Sequence, residues 1–282
     1  MGIYPCDPIT MNLQKRLSHE ISTDGRSGWI FVLPSLILLA LFGLPIFAIF
    51  WKSIGINFFT FALAPTALSA LRLSLLTSTL STLITIAIGL PLAFILARWK
   101  FHGKFALEVL VDLPVVLPPS VAGLALLIAF GRQGVFGQWL STLGINLPFT
   151  TAAVVLAQIF VASPLFVRSA KVGFAAISTQ LEEAAFVEGA SELQLLRFVM
   201  LPLAWRSLLT GIVLTWTRAL GEFGATILFA GNLIGKTQTM PLAIYIGLEQ
   251  SLGVALALSV MLVLVSVILL GVLRRLEKKE PA

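Results

Sequence analysis

Long apolar runs dominate the chain, and short polar segments separate them. The runs lie at residues 28–52, 70–97, 105–131, 151–172, 203–230 and 252–273. Each reaches or exceeds the length of about 20 residues that a helix needs to cross a bilayer. The runs are continuous rather than alternating, which excludes the roughly ten-residue strands of a membrane barrel. The pattern predicts an all-α polytopic membrane protein with six transmembrane helices.

Composition and charge fix how these helices are oriented. The chain has 282 residues, of which 58% are hydrophobic and 11% are charged. An N-terminus on the inside leaves only Lys52, Arg72, Arg132 and Lys236 on the outer side and Arg218 within a helix, so the other 14 of the 19 Lys and Arg face the cytoplasm. The positive-inside rule therefore predicts an inner-membrane protein with both termini cytoplasmic. The net charge of +6 reflects this orientation, and no nucleic-acid partner is expected.

The runs divide the chain into four parts. Residues 1–27 are polar and are interpreted as a cytoplasmic extension, because the apolar run that follows is too long for a cleaved signal peptide. Residues 28–69 hold the first transmembrane helix and an outer loop. Residues 70–273 form a core of five transmembrane helices, which includes a helical loop at 179–201, and residues 274–282 are a cytoplasmic tail.

Enzyme chemistry finds little support in the sequence. His19 and His102 each lack a second metal ligand at helical spacing, so neither a metal site nor a catalytic residue is predicted. The stretch AGNLIGKT resembles a phosphate-binding loop, but Ala230 occupies the position of the first required glycine. We expect no cofactor in this chain.

The stretch LEEAAFVEGASELQLLRFVMLP, residues 181–202, collects an unusual share of the acidic side chains. Thr179 with Glu182, and Ser191 with Gln194, have the spacing of capping boxes. Gly189 suits the left-handed position that ends a helix. The spacing therefore predicts two short helices.

Acidic residues on the predicted inner face run against the basic trend of that face. Ala184 and Ala185 give the first helix a small side that another protein could approach closely, while Pro202 is expected to stop the second helix. Two interpretations remain open. The stretch is either a docking surface for a partner or a plain amphipathic connector.

The spacing of this stretch resembles the EAA loop of type I ABC importer permeases, with Val199 in place of the usual Ile. That resemblance implies a pair of coupling helices that fit a groove on a cytoplasmic ATPase subunit, which binds ATP and Mg²⁺. The residues that it marks for ATPase coupling are Glu182, Glu183, Ala184, Ala185, Glu188, Gly189, Ala190, Leu201 and Pro202.

A second resemblance concerns the transported substrate. RALGEFGATILFAGN at 218–232, GKTQTMPLAIY at 235–245 and LPPSVAGLALLIAFGRQGVFG at 117–137 are similar to the molybdate and tungstate permeases. Sulfate and thiosulfate permeases are close relatives that differ in the GEFG region. The resemblance implies two copies of the chain surrounded by membrane lipid, an extracytoplasmic oxyanion-binding protein and alternating access.

Arg218 and Glu222 stand out because an ionisable side chain near the bilayer centre costs about 2.5–3.5 kcal/mol. Their spacing of four places them on one helical face as an ion pair. One interpretation is a structural pair that fixes helix packing. The other is a translocation pathway in which Arg218 offsets the charge of a dianion, Glu222 limits its affinity, Gly221 and Gly224 leave space, and Thr215 supplies a hydroxyl.

Three further expectations complete the prediction. Glu108 and Asp112 are expected to hydrogen bond at the inner end of the third span. Pro118 and Pro119 are expected to break that helix, either beside the pathway or as a packing kink. A passive anion channel is the alternative from another functional class, and it would need an intramembrane arginine but no docking loop.

Overall fold

Helices make up most of the described chain. A computed structural model describes residues 25–278, and no strand occurs within that range, as predicted. Most of the predicted N-terminal extension, at 1–24, and residues 279–282 of the tail lie outside the described residues. The helices are α1 Gly25–Ser53, α2 Phe58–Ala62, α3 Pro65–Arg98, α4 Lys104–Val116, α5 Pro119–Phe130, α6 Gly137–Thr142, α7 Thr151–Ala175, α8 Thr179–Val187, α9 Glu192–Leu203, α10 Trp205–Leu220, α11 Gly224–Phe229, α12 Met240–Gln250 and α13 Leu252–Lys278.

Four of these helices are long and apolar enough to cross a membrane by themselves. They contain the spans Phe31–Ser53, Pro65–Arg98, Thr151–Ala175 and Leu252–Gly271. Two further pairs qualify only when each bent pair counts as one span: α4 with α5, and α9 with α10. The described chain is therefore consistent with six spans. The third and fifth predicted runs are not single straight helices.

The first span belongs to a compact unit of its own. Helix α1 belongs to a separate compact unit that ends at Ile54. Its described side chains are apolar on every side and none of them is buried within its own unit. A helix that is hydrophobic all round is typical of a membrane span, because lipid can surround it without a polar face.

Small polar side chains line the buried face of α3 where it packs against α7 and α10. Ser74, Thr77, Ser78, Ser81, Thr82 and Thr85 are all buried there. Several of their hydroxyls donate to carbonyls one turn back, such as Thr82 to Ser78 at 2.7 Å. Four of these hydroxyls, those of Thr77, Ser78, Ser81 and Thr82, are satisfied within the helix, and the short side chains let the helix backbones come close together.

Helices α7 and α10 approach even more closely, at a glycine on each. A Cβ at position 211 would lie 2.9 Å from the Cβ of Ser169. A Cβ at position 173 would lie 2.6 Å from the Cβ of Ser207. Close packing of this kind is the main attraction between helices in lipid, where the hydrophobic effect does not draw them together.

The predicted break at the proline pair is confirmed. Helix α4 ends at Val116, Leu117 and Pro118 are extended, and Pro119 begins α5. The two helix axes differ in direction by 116°. Proline disfavours helical geometry in the residue before it, so two consecutive prolines turn the chain instead of extending the helix.

The fifth predicted run, residues 203–230, is also interrupted. Helix α10 begins at Trp205 and ends at Leu220, and α11 begins only at Gly224. The prediction of one continuous helix across this region is therefore wrong. Hydrophobicity alone gave no sign of the break, whereas the Gly221-Glu222-Phe223-Gly224 sequence carries two residues with poor helix propensity.

Two ion pairs join α4 to α7. The Arg168 guanidinium donates to an Asp112 carboxylate oxygen at 2.5 Å, and the Lys171 ammonium donates to a Glu108 oxygen at 2.7 Å. The expected hydrogen bonding of Glu108 and Asp112 is thus confirmed, with α7 as the partner helix. The two pairs fix how α4 lies along α7.

Candidate functional site

The predicted pair of Arg218 and Glu222 forms at the end of α10. A guanidinium nitrogen of Arg218 lies 2.5 Å from a carboxylate oxygen of Glu222. The two side chains differ in exposure, because Glu222 is 1% exposed and Arg218 is 34% exposed. The carboxylate is thus enclosed by protein, and the arginine keeps an accessible side.

Glu222 has a second role that the sequence analysis missed. Its other carboxylate oxygen accepts a hydrogen bond from the backbone N–H of Ala225 at 2.8 Å. It therefore caps the start of α11, where backbone N–H groups lack partners within the helix. A carboxylate is favoured at that position because the helix dipole is positive there. Both carboxylate oxygens of Glu222 accept hydrogen bonds, so Arg218 is the member of the pair that remains accessible.

Helix α11 packs against the start of α5, so the two interrupted helices meet. A Cβ at position 224 would lie 2.5 Å from the Cβ of Pro119. A Cβ at position 123 would lie 2.9 Å from the Cα of Ala225. We call this contact, made by residues 119–123 and 224–228, the helix-break junction. Glycine at 123 and 224 is what allows it.

The other predicted pathway residues have different surroundings. The Thr215 hydroxyl is buried and donates to the carbonyl of Ala162 on α7 at 3.3 Å, so it lies in a helix interface. Gly221 is exposed, and a Cβ there would meet only the Thr217 carbonyl, at 3.6 Å. The structure therefore brings Arg218, Gly221, Glu222 and Gly224 together around the break. Thr215 lies before Arg218 on α10, away from the break.

The predicted pair of short helices forms in residues 176–204, which we call the elbow. Gly189 has a φ of +85° and ends the first helix region, as predicted. The capping box at Ser191 is confirmed, because the Ser191 N–H donates to the Gln194 side chain at 2.8 Å and the Gln194 N–H donates to the Ser191 hydroxyl at 3.4 Å. The box predicted at Thr179 is wrong. Ser178 caps α8 instead, one residue earlier.

The second elbow helix continues slightly past its predicted end. Residues Leu195–Met200 form a wide π-helical turn, and the helix ends at Leu203, one residue beyond Pro202. The next helix, α10, starts at Trp205 with a 77° change of direction. Leu195 and Met200 are buried in the core formed with α3, α7 and α10, so they anchor the elbow to the bundle.

The face of the elbow that is not packed on the bundle is exposed, and it combines acidic with apolar side chains. The large apolar side chains exposed there are Leu181, Phe186, Val187, Leu193, Phe198 and Leu203. Of the predicted coupling residues, Glu183, Ala184, Glu188, Gly189 and Pro202 are exposed, whereas Glu182, Ala185, Ala190 and Leu201 are partly buried. Ala184 and Ala185 thus do not form one exposed surface of small residues, because Ala185 packs against the core. Exposed apolar groups beside charges are typical of an interaction surface.

A family model decides the classification. Residues 89–280 match the binding-protein-dependent transport system inner membrane component. The chain belongs to this family. The matched region contains both the helix-break junction and the elbow of this transport component.

Two relatives resemble this chain in sequence, and one solved structure resembles it in fold. The molybdenum transport system permease protein ModB of Mycobacterium bovis is 39% identical over 245 residues, which is 86% of this chain and 92% of the relative. The probable sulfate transport system permease protein cysT of Nephroselmis olivacea is 36% identical over 225 residues, or 79% of each chain. A bacterial ABC transporter that imports alginate has a chain of similar fold, with a TM-score of 0.76 at 18% identity, covering 95% of this chain and 100% of its own.

The helix-break junction yields a testable prediction. We expect Gly224→Ala to lower the thermal unfolding temperature of the purified protein in detergent by several degrees, because the added Cβ overlaps the rigid ring of Pro119. Gly221→Ala is the matched control, since its Cβ meets no atom closer than 3.6 Å. Equal unfolding temperatures for the two variants would show that the junction is not closely packed in solution.

Proposed function

We propose that this family member is the transmembrane permease of an ATP-driven importer for molybdate, with tungstate as a related substrate. The observation that carries the coupling part of this proposal is the elbow. Its second helix is anchored to the bundle by Leu195 and Met200, and its exposed side presents an acidic and apolar surface. A passive channel has no need of such a surface. The substrate part rests on similarity to the molybdenum relative.

The partners follow from this proposal. Two cytoplasmic ATPase subunits, which bind ATP and Mg²⁺, dock at the elbows of two copies of the chain. An extracytoplasmic binding protein delivers the oxyanion to the opposite face. Both termini lie in the cytoplasm, as the distribution of Lys and Arg favours. Closure of the ATPases moves α8 and α9, and this movement turns the pathway between the two copies outward.

Arg218 supplies the charge complement along the pathway. A dianion that crosses the bilayer needs compensation, because charge is costly to place in a low-dielectric region. The accessible side of Arg218 provides it, while the buried Glu222 holds the arginine and neutralises it when no anion is present. This arrangement gives weak, reversible attraction, and weak attraction suits a site that must release its substrate.

Sulfate is the second candidate substrate, because the sulfate relative covers a similar share of the chain. Both anions are tetrahedral dianions, so charge alone does not distinguish them. We expect the assembled complex with its binding protein to import labelled molybdate into vesicles in an ATP-dependent manner. Unlabelled tungstate should compete strongly and sulfate weakly. Strong competition by sulfate together with poor molybdate uptake would assign the chain to sulfate transport.

A substitution at Gly189 tests the elbow as the coupling element. We expect Gly189→Leu to reduce molybdate uptake about ten-fold or more while ATP hydrolysis continues, because the added side chain would project toward the docked ATPase. Gly103→Leu is the matched control. Gly103 also has a positive φ, and neither position has an atom of this chain within 4 Å of an added Cβ, so the backbone strain is similar. Equal uptake in both variants would refute the elbow assignment.

A substitution at Arg218 tests the pathway. We expect Arg218→Gln to abolish uptake while the complex with the ATPase still assembles, because the variant lacks the charge that compensates the dianion. Arg206→Gln serves as the control, since Arg206 is an exposed arginine at the other end of α10. The measurements are uptake in vesicles and copurification of the ATPase. Normal uptake by Arg218→Gln would remove the proposed role.

A further inference from the structure

The last residue of α3 makes an unexpected connection to the elbow. Arg98 donates a hydrogen bond from its guanidinium to the carbonyl of Ile177 at 2.9 Å. The same guanidinium nitrogen forms an ion pair with Glu182 of α8. One side chain thus links the end of a long span, the turn that follows α7 and the first elbow helix.

Helix α8 has little else to hold it in a fixed orientation. It is nine residues long and contains no buried side chain. A helix of this length is not stable alone in water, and it lacks the buried apolar face that normally attaches a helix to its domain. Ala185 makes a partly buried contact with the core. The ion pair with Arg98 is therefore a large part of what fixes α8 relative to α3.

The surroundings of this pair make it stronger than an ordinary surface pair. The Arg98 side chain is 12% exposed and that of Glu182 is 15% exposed. Ile177, whose carbonyl accepts a hydrogen bond from Arg98, belongs to the buried apolar core, and the low exposure of both side chains shows that little water reaches the pair. Arg98 also stands at the C-terminal end of α3 and next to a carbonyl beyond the end of α7, where the helix dipoles favour a positive charge. Partial burial reduces screening, so loss of one partner leaves the other charge poorly compensated.

We propose that Arg98 is a positioning residue that transmits the displacement of α8 to α3. The inference rests on the proposed function, in which an ATPase docks on the elbow. It reassigns Glu182 from the docking surface to an internal anchor. Glu183 and Glu188 remain exposed for the partner. Without the anchor, α8 follows the ATPase while α3 stays behind, so ATP is consumed with little transport.

The first test measures molybdate imported per ATP hydrolysed by the assembled complex with its binding protein. We expect Arg98→Gln and the isosteric Glu182→Gln each to lower this ratio at least about five-fold. The double variant should be no worse than either single variant, because both changes remove the same interaction. Arg168→Gln is the control, since its pair with Asp112 is more exposed and lies outside the elbow. The less exposed pair of Lys171 with Glu108 still joins α4 to α7 in this variant, so we expect its ratio within about two-fold of the wild type.

The second test measures whether the Arg98–Glu182 pair holds α8 in place, and it does not depend on transport. Spin labels at Val187→Cys, which is 88% exposed, and His102→Cys, also exposed, report the distance between α8 and the end of α3 once Cys6 is replaced by Ser. We expect one narrow distance distribution with Arg98 and Glu182 present and a broad one in Arg98→Gln or Glu182→Gln. Arg168→Gln should keep the narrow distribution.

The outcomes separate the two proposals. A narrow distribution and a wild-type transport ratio in the Arg98 and Glu182 variants would overturn the anchor while leaving the permease function intact. A wild-type complex that does not couple ATP hydrolysis to uptake would refute the proposed function, and the distance measurement would still decide the anchor. If Arg98→Gln does not accumulate, Glu182→Gln alone gives the same decision, because it keeps the size of the side chain and removes only its charge.

Discussion

Hydrocarbon offers no hydrogen-bond partner to a peptide group, and this constraint bears on two interruptions in the spans of this chain, after Val116 and after Leu220. At the first break, Pro118 and Pro119 have no N–H groups that would need a partner. At the second, the Glu222 carboxylate accepts from the backbone at the start of α11. Each of these two breaks thus removes or pairs at least one backbone N–H that would otherwise lack a partner. The helices that begin after the two breaks, α5 and α11, pack on each other. The two breaks therefore lie together and form one irregular region within the bundle.

Charge is used sparingly inside this framework and has a distinct purpose at each place. Near the helix-break junction, one buried carboxylate serves as a helix cap and as the partner of a half-exposed arginine. At the elbow, another carboxylate is directed inward to Arg98 while its neighbours face outward. The concentration of glutamates in residues 181–202 therefore has more than one cause. Some of these side chains stabilise helix ends, one attaches the elbow to the bundle, and the exposed ones are available to a partner.

The features that sequence predicted well are local ones. Run lengths located the spans, the proline pair located the first break, and spacing alone gave the Arg218–Glu222 pair, the turn at Gly189 and the capping box at Ser191. The features it missed depend on packing between distant segments. Arg98 and Glu182 come together only because α3 and the elbow meet in the folded bundle, and no periodicity connects them. The break after Leu220 was missed because residues 203–230 are apolar on average in spite of Arg218 and Glu222, and hydropathy does not report helix continuity.

The two ion pairs between α4 and α7 have a consequence for how the bundle can move. Sliding α4 along α7 by one helical turn, about 5.4 Å, would separate both pairs at once and leave four charged groups without their partners. Helices α4 and α7 are therefore expected to travel as one body, whereas α5 is packed on α11. Relative motion between these two bodies falls on the extended residues Leu117 and Pro118 that connect α4 to α5. Those two residues then act as a hinge. Pro118 has no N–H that must find a new partner, the Leu117 N–H stays paired with Leu113 of α4, and the Pro118 carbonyl stays paired with Ala122 of α5.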